Sequence, residues 1–457
     1  MANVDASRGS WGSKIGFIVA AAGSAIGLGN IWRFPYVTGE NGGAIFVLIY
    51  IIFVILIGWP VMVSELAIGR HTIKNPVGAF KTLFPNSLWK MVGALGVVTG
   101  IGILSFYAVI AGYTVGYFIK TILGEFARIE TANQAKEIFV AFTANPYISV
   151  GLLFLFILLT VLVVMGGVSA GIERWSKILM PILLLLLILL AAYSIALPKA
   201  KQGLIFYLKP DFSKFSLTTL ARALGQALFS LSLGMGTMIT YGSYISKKDN
   251  LVTSAGYVCF FDTLIAILAG LVVFPALFAM DLDPAGGPGL VFVVLPSIFA
   301  KMPGGMFFGA GIFLLLAVAA LTSTISLLEV PVAYLVDEHR WPRKKAVLLT
   351  GTVTFLIGIP SALALGANKF LTAFIKENFG FLDFMNALFG NYSLSLGAFL
   401  IAVFAGYQWG TKAVAAEITQ EGNIFFLRQL WIFSIRFICP IAIFIILAYI
   451  AGTGNYF

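Results

Sequence analysis

Cysteine, histidine and charge are all scarce in this sequence. Two cysteines and two histidines occur in 457 residues. Cys259 and Cys439 both lie inside apolar runs, so a disulfide framework is excluded and free, buried thiols are expected. His71 and His339 stand apart from each other and from both cysteines, which leaves no basis for a metal centre. No HExxH pattern, P-loop or nucleophile elbow is present, so the common hydrolase and nucleotide chemistries have no visible machinery. Charged residues make up only 11% of the chain against 60% hydrophobic, which rules out a soluble globular domain. The compact signal-peptide pattern with a cleavage site is also missing, so the first apolar run is expected to stay in the protein.

Long apolar runs are abundant, and the mean hydropathy is +0.99. Eleven candidate spans fall at about 13–37, 43–69, 89–123, 149–166, 171–197, 217–246, 252–279, 307–337, 344–365, 379–407 and 427–451. Each is long enough to cross about 30 Å of hydrocarbon as a helix. A membrane β-barrel would instead alternate over short segments. The expected class is therefore an all-α polytopic membrane protein.

The net charge of +10 reflects basic residues in connecting loops rather than a nucleic-acid surface. Lys74 and Lys81, then Lys247 and Lys248, then Arg340, Arg343, Lys344 and Lys345 follow the second, sixth and eighth spans. The positive-inside rule makes these loops cytoplasmic, with the N-terminus inside and the C-terminus outside. Lys199, Lys201, Lys209 and Lys214 run against this assignment, but the loop after the eighth span is the stronger signal. Residues 281–305 form a long connection whose apolar middle around Phe292 reads either as an external lid or as a plain surface loop.

Two spans are interrupted. Gly23-Ser-Ala-Ile-Gly-Leu-Gly-Asn-Ile-Trp-Arg-Phe-Pro35 places Gly23, Gly27 and Gly29, then Asn30, Arg33 and Pro35, inside the first apolar run. Glycine weakens a helix by about 1 kcal/mol and proline by about 3, and an arginine within a membrane costs a few kcal/mol more. A helix broken at mid-membrane has a use for these residues, because the break frees backbone groups to bind ions and ligand. A small-residue packing stripe is the alternative. Ser230-Leu-Ser-Leu-Gly-Met-Gly236 interrupts the sixth span in the same way. Broken helices five spans apart are the cue for an inverted repeat with the site at the repeat interface.

Asp262 is a lone carboxylate in the seventh span and so a functional candidate, or else a protonated acid bonded between helices. With Asn30, Ser230 and the carbonyl of Ala25 it would form an oxygen-lined site for a monovalent cation. Thr322-Ser323-Thr324 adds hydroxyls in the eighth span, although such groups often bond back to the preceding turn. Arg33 with Asp383, and Arg8 with Asp337, read as gate pairs or as interfacial charges that reach water. Glu65, buried by position, is either an acceptor for the N–H groups freed at a break or simply neutral. Gly171 and Pro181 flank nine residues of the fifth span where local unwinding, or a static kink, is expected.

These motifs together resemble the neurotransmitter:sodium symporter family, closest to its bacterial amino-acid branch, over nearly the whole chain. The most specific marks are Gly23–Tyr36, Ser230–Gly236, Leu321-Thr-Ser323 and the Gly171-to-Pro181 spacing. The resemblance implies a five-plus-five inverted repeat with broken first and sixth helices. Residues 1–12 would be a cytoplasmic segment, 13–197 the first repeat, 217–407 the inverted second repeat and 427–451 an additional eleventh helix. It implies two sodium ions, one held by Ala25, Asn30, Ser230 and Asp262, the other by Gly23, Ile26, Ala319, Thr322 and Ser323. It puts the substrate carboxylate at Leu28, Gly29 and Tyr107, and the amine at Ala25, Phe229, Ser230 and Ser232. Ile103, Phe229, Met235, Ser323 and Leu327 would line the side-chain pocket. Arg33, Asp383, Arg8 and Asp337, the last pair supported by Tyr244, would be gates.

Gly27 stands where monoamine-carrying members have an aspartate, so the substrate should bring its own carboxylate. Asp262 and Ala266 stand where chloride-dependent members have asparagine and serine, so no chloride requirement is expected. Met235 replaces a phenylalanine of a narrower relative, and its flexible side chain favours a broad pocket. The expected function is sodium-coupled import of hydrophobic L-amino acids, leucine to tryptophan in size, by alternating access in the cell's inner (plasma) membrane. No enzyme activity, nucleic acid or obligatory protein partner is expected. A proton-coupled carrier using Asp262 and a non-transporting amino-acid sensor are the alternatives.

Overall fold

A computed structural model describes residues 10–453 apart from 130, 281–283, 285–290, 302 and 378. Arg8 and most of the 281–290 stretch lie outside the described residues. The described chain is helical throughout, as burial in lipid demands, because a helix satisfies its backbone groups within itself. Among the described residues, nine helices are long and apolar enough to cross a membrane, and one bent pair adds a tenth. That pair is α1 (Lys14–Ala25) and α2 (Gly29–Glu40), which diverge by 48° across the break. The uninterrupted helices are α3 (Ala44–Thr72), α4 (Lys90–Ile122), α5 (Pro146–Met165), α6 (Val168–Ile195), α9 (Leu251–Ala279), α10 (Gly305–His339), α11 (Arg343–Leu363), α12 (Phe381–Gln408) and α13 (Arg428–Thr453).

The sixth span is not one helix. It is α7 (Leu217–Ser230), then an unwound stretch, then the short α8 (Thr237–Gly242). Its halves are too short to count as spans alone, and with them the eleven expected runs are all accounted for. Gly234 and Gly236 take φ of +81° and +78°, left-handed values that side chains resist. Ser232 takes φ +53° without being glycine, a strained conformation of the kind that collects at functional sites.

The two broken helices meet at the centre. α10 packs along α4 over the longest helix interface, and α1 lies against α9, α10 and α6. Gly397 of α12 lets the unwound stretch approach closely, since a Cβ there would meet the Gly234 carbonyl at 1.9 Å. Outside this core, α5, α6 and α13 turn large apolar side chains outward, among them Leu162, Leu185, Leu189, Ile441 and Phe444. In a bilayer these faces are covered by lipid.

The fifth span departs from the expected position of its irregularity. Its break precedes Gly171, with Gly167 at φ +84° followed by a π-helical turn over Val168–Glu173. From Arg174 onward the helix runs through Pro181. Gly171 is packed into the break, where a Cβ would lie 2.2 Å from the Val163 carbonyl. Phe292 is 3% exposed. Its ring stacks on Phe139 and Phe313, with centroids 5.8 and 6.3 Å away. Cys259 and Cys439 are free and buried.

Candidate functional site

The break between α1 and α2 and the break between α7 and α8 border a narrow cavity of about 20 Å³. Its lining includes Ala25, Gly29, Ile103, Tyr107, Phe229, Ser230, Ser232, Met235, Ser323 and Leu327. Ser24 and Gly27 line it as well. Leu28 stands just behind, its N–H donating to the Tyr107 hydroxyl at 2.7 Å. The freed backbone groups are thus in use. The Gly29 carbonyl accepts from Gln226 Nε2 at 2.8 Å, and the Ser24 carbonyl accepts from Ser232 Oγ at 3.0 Å. Gly27 has no room for a side chain, because a Cβ would lie 2.2 Å from Ser323 Oγ and 2.4 Å from the Tyr107 hydroxyl.

On one side of the cavity Asn30, Ser230 and Asp262 converge, all fully buried. Asn30 Nδ2 donates to Asp262 Oδ1 at 2.8 Å and to Ser230 Oγ at 2.9 Å. Ser230 Oγ donates to Asp262 Oδ1 at 2.7 Å, and the Tyr50 hydroxyl to Asp262 Oδ2 at 2.6 Å. Burying a carboxylate costs several kcal/mol, and each hydrogen bond to a charged group returns about 1.5–3. No cationic side chain among the described residues pairs with Asp262, so a bound monovalent cation would complete the charge balance. Tyr50 is the partner that sequence reasoning missed. A tyrosine in an apolar run reads as an interfacial residue, and only its hydroxyl among aliphatic neighbours hints at a buried acceptor.

On the other side lies a second oxygen cluster. Thr322 Oγ1 is 2.8 Å from the Ala319 carbonyl and 3.3 Å from that of Ile26. Ser323 Oγ is 3.3 Å from the Ile26 carbonyl and 3.2 Å from that of Ser24. Gly23 faces the same place, since a Cβ on it would lie 3.4 Å from Thr322 Cβ. Neutral carbonyl and hydroxyl oxygens of this kind suit a hard monovalent cation.

The expected outer gate pair is not formed. Arg33 is 5% exposed, its guanidinium lies 4.7 Å from the centroid of the Phe229 ring, and Nη1 has no hydrogen-bond partner among the described residues. Asp383 is exposed and instead caps its own helix, Oδ2 accepting the Gly380 N–H at 2.9 Å. Toward the other end, Asp337 Oδ2 accepts the Asn75 N–H at 2.7 Å. The Tyr244 hydroxyl donates to Glu329 Oε1 at 2.8 Å, and Glu329 is paired with Arg343 at 2.5 Å. Arg343, counted in the sequence as a loop charge, is thus committed to an ion pair. Glu65 accepts the Gly234 N–H at 2.7 Å, the freed group of a broken helix that its position anticipated.

The comparisons agree on one family. The model of the sodium:neurotransmitter symporter family matches residues 8–138 and 142–454. The uncharacterized sodium-dependent transporter YhdH of Bacillus subtilis is 40% identical over 98% of this chain and 98% of its own. A sodium-dependent transporter of Haemophilus influenzae is 36% identical over 96% of this chain and 97% of its own. A crystal structure of MhsT in complex with L-phenylalanine superposes with a TM-score of 0.88 at 45% identity, covering 96% of this chain and 99% of that one. The fold, the two breaks and these likenesses make the protein a multi-pass membrane transporter rather than an enzyme, and the chain belongs to the sodium:neurotransmitter symporter family.

Proposed function

We propose that the protein imports hydrophobic L-amino acids together with sodium, without a chloride requirement. The observation that carries this reading is the cavity between the two helix breaks, flanked on both sides by oxygen clusters. The substrate carboxylate would meet the N–H groups at Leu28 and Gly29 and the Tyr107 hydroxyl. The amine would meet the Ala25, Phe229 and Ser230 carbonyls and the Ser232 hydroxyl. Gly27 supports a substrate that carries its own carboxylate, since the space an acidic side chain would need is filled by Ser323 and Tyr107. The phenylalanine bound to MhsT supports an apolar side chain, held here against Ile103, Phe229, Met235 and Leu327.

Two sodium ions are cargo in this scheme. One rests on Ala25, Asn30, Ser230 and Asp262, the other on Gly23, Ile26, Ala319, Thr322 and Ser323. The fixed charge of Asp262, bonded by Tyr50, stands in for a chloride ion. Residues 13–197 and 217–407 would be the two inverted repeats, with the N-terminus cytoplasmic and the C-terminus outside. Binding from outside would be followed by closure of Phe229 and Arg33 over the cavity, then opening at the Tyr244 end.

Equilibrium binding of radiolabelled leucine and tryptophan to the purified protein tests this reading. Sodium should support binding in chloride-free buffer where potassium does not. Asp262→Asn should lose that binding. Binding that ignores sodium but follows pH would overturn it in favour of a proton-coupled carrier.

A further inference from the structure

Arg436 is a charge on the lipid-facing side of the protein. It lies in α13, one of the helices that turn large apolar side chains outward, and it is itself exposed. Phe433 and Phe437 are exposed beside it, with ring centroids 5.6 Å apart. An arginine among such neighbours is costly in a membrane unless it reaches water or a counter-charge.

The side chain is held in place. Arg436 Nε donates to the Gly406 carbonyl of α12 at 3.2 Å, and the guanidinium lies 5.9 Å from the centroid of the Tyr407 ring. In return the Tyr407 hydroxyl donates to the Arg436 carbonyl at 2.6 Å. Gly406 permits this approach, since a Cβ there would lie 3.1 Å from the Ile435 carbonyl. Both helices widen to π geometry at this point, α12 over Phe404–Gln408 and α13 over Ser434–Ile438, a feature frequent at functional sites. Nε is thus in use, whereas Nη1 and Nη2 meet no acceptor among the described residues.

The depth suits a phosphate. Arg436 is level with the last turn of α12, and the exposed Tyr407 ring stands beside it, as tyrosines do at the head-group level of a bilayer. Arg428, exposed at the start of α13, adds positive charge about two turns away. Basic sites between spans take up lipid head groups. A second copy of the chain is a poorer occupant. The one acidic residue in α12 and α13 is Asp383, at the opposite end of α12.

We propose that Arg436 and Tyr407 form a binding site for the head group of an anionic phospholipid. Nη1 and Nη2 donate side by side to two phosphate oxygens, and the acyl chains lie along Phe433 and Phe437. A zwitterionic lipid is the weaker ligand because its head group carries its own cation. The site does not depend on which ion is coupled to transport.

Native mass spectrometry of the purified full-length protein, titrated with dioleoylphosphatidylglycerol or dioleoylphosphatidylcholine, tests it. The parent should hold the first phosphatidylglycerol about tenfold more tightly than phosphatidylcholine, the effect of hydrogen bonds to a charged group. Arg436→Gln should bring the two lipids to parity. Arg436→Lys should keep only part of the preference, since an ammonium cannot bind two oxygens side by side. Lys247→Gln, the same charge change on another loop, should keep the parent's preference. A preference that survives Arg436→Gln, or falls equally in Lys247→Gln, overturns the proposal. A parent without lipid preference whose dimers dissociate in Arg436→Gln would make this face a contact between copies instead. If Arg436→Gln does not fold, the parent decides. Phosphatidylglycerol with a photoreactive acyl chain should label the first half of α13, and excess phosphatidylglycerol but not phosphatidylcholine should suppress the labelling. Equal suppression by both lipids overturns the proposal.

Discussion

Gly27 shows how much a single residue decides here. Its Cα is pressed between the Ser323 and Tyr107 hydroxyls, both fixed by their own hydrogen bonds. Gly27→Ala inserts a methyl group where overpacking costs about 1–3 kcal/mol. That is a loss of about 5- to 150-fold in amino-acid affinity, measurable by equilibrium binding with the fold retained. Asp262 is the second such residue. Its carboxylate was visible in the sequence because charge is rare in the spans, but its three donors come from residues up to 232 positions away. Spacing along one chain cannot reveal such a set. Family resemblance named Asn30 and Ser230, while Tyr50 emerged only from the fold. Arg33 and Asp383 mark the opposite case. Both were conspicuous as charges, yet one lies over an aromatic ring and the other caps a helix. Sequence marks a charge but not the direction in which its side chain turns.

At the scale of elements, hydropathy located the spans to within a few residues, because lipid forces uninterrupted backbone hydrogen bonding and so sets a minimum helix length. Glycine and strain marked the breaks for the same reason. Gly234→Ala should destabilise the protein severely, since it must hold φ +81° and its Cβ would lie 2.2 Å from the Leu394 carbonyl. A collapse of the monodisperse peak in fluorescence-detected chromatography would register this. The tie between α3 and the short helix Thr411–Ile418 was not legible. Fully buried Arg70 pairs with Glu417 at 2.8 Å, and His71 Nδ1 lies 2.8 Å from the other carboxylate oxygen. Arg70→Met removes the fully buried partner of Glu417 and leaves it only His71 and Gln420, a loss of up to about 3–5 kcal/mol. Adding Glu417→Leu should recover part of it in a thermal-shift assay. Burial pushes the Glu417 carboxyl up, but hydrogen bonds from His71 and Arg70 and their charges outweigh it, leaving it below the ordinary carboxylate value. Its contribution is therefore complete above about pH 4.3, the unperturbed glutamate value, and is lost as pH falls through the lowered one. Acid should lower the thermal midpoint of the parent more than that of the double variant.

The whole molecule places one cavity and two oxygen clusters where two broken helices meet, with the π-turn that opens α6 packed against the start of α1. That layout would connect binding to movement, because part of the proposed site sits on the two helices that are already interrupted. An inward sodium gradient supplies the work. Each positive charge moved inward gains about 2.3 kcal/mol per 100 mV, enough for roughly 50-fold accumulation before the concentration term is added. The most direct measurement is uptake of radiolabelled leucine into proteoliposomes with an inward sodium gradient, a potassium control, and chloride present or replaced. The account predicts accumulation above the external concentration with sodium, unchanged by removing chloride and collapsed by a sodium ionophore. Binding without accumulation, or accumulation driven by a pH gradient in the absence of sodium, would contradict it.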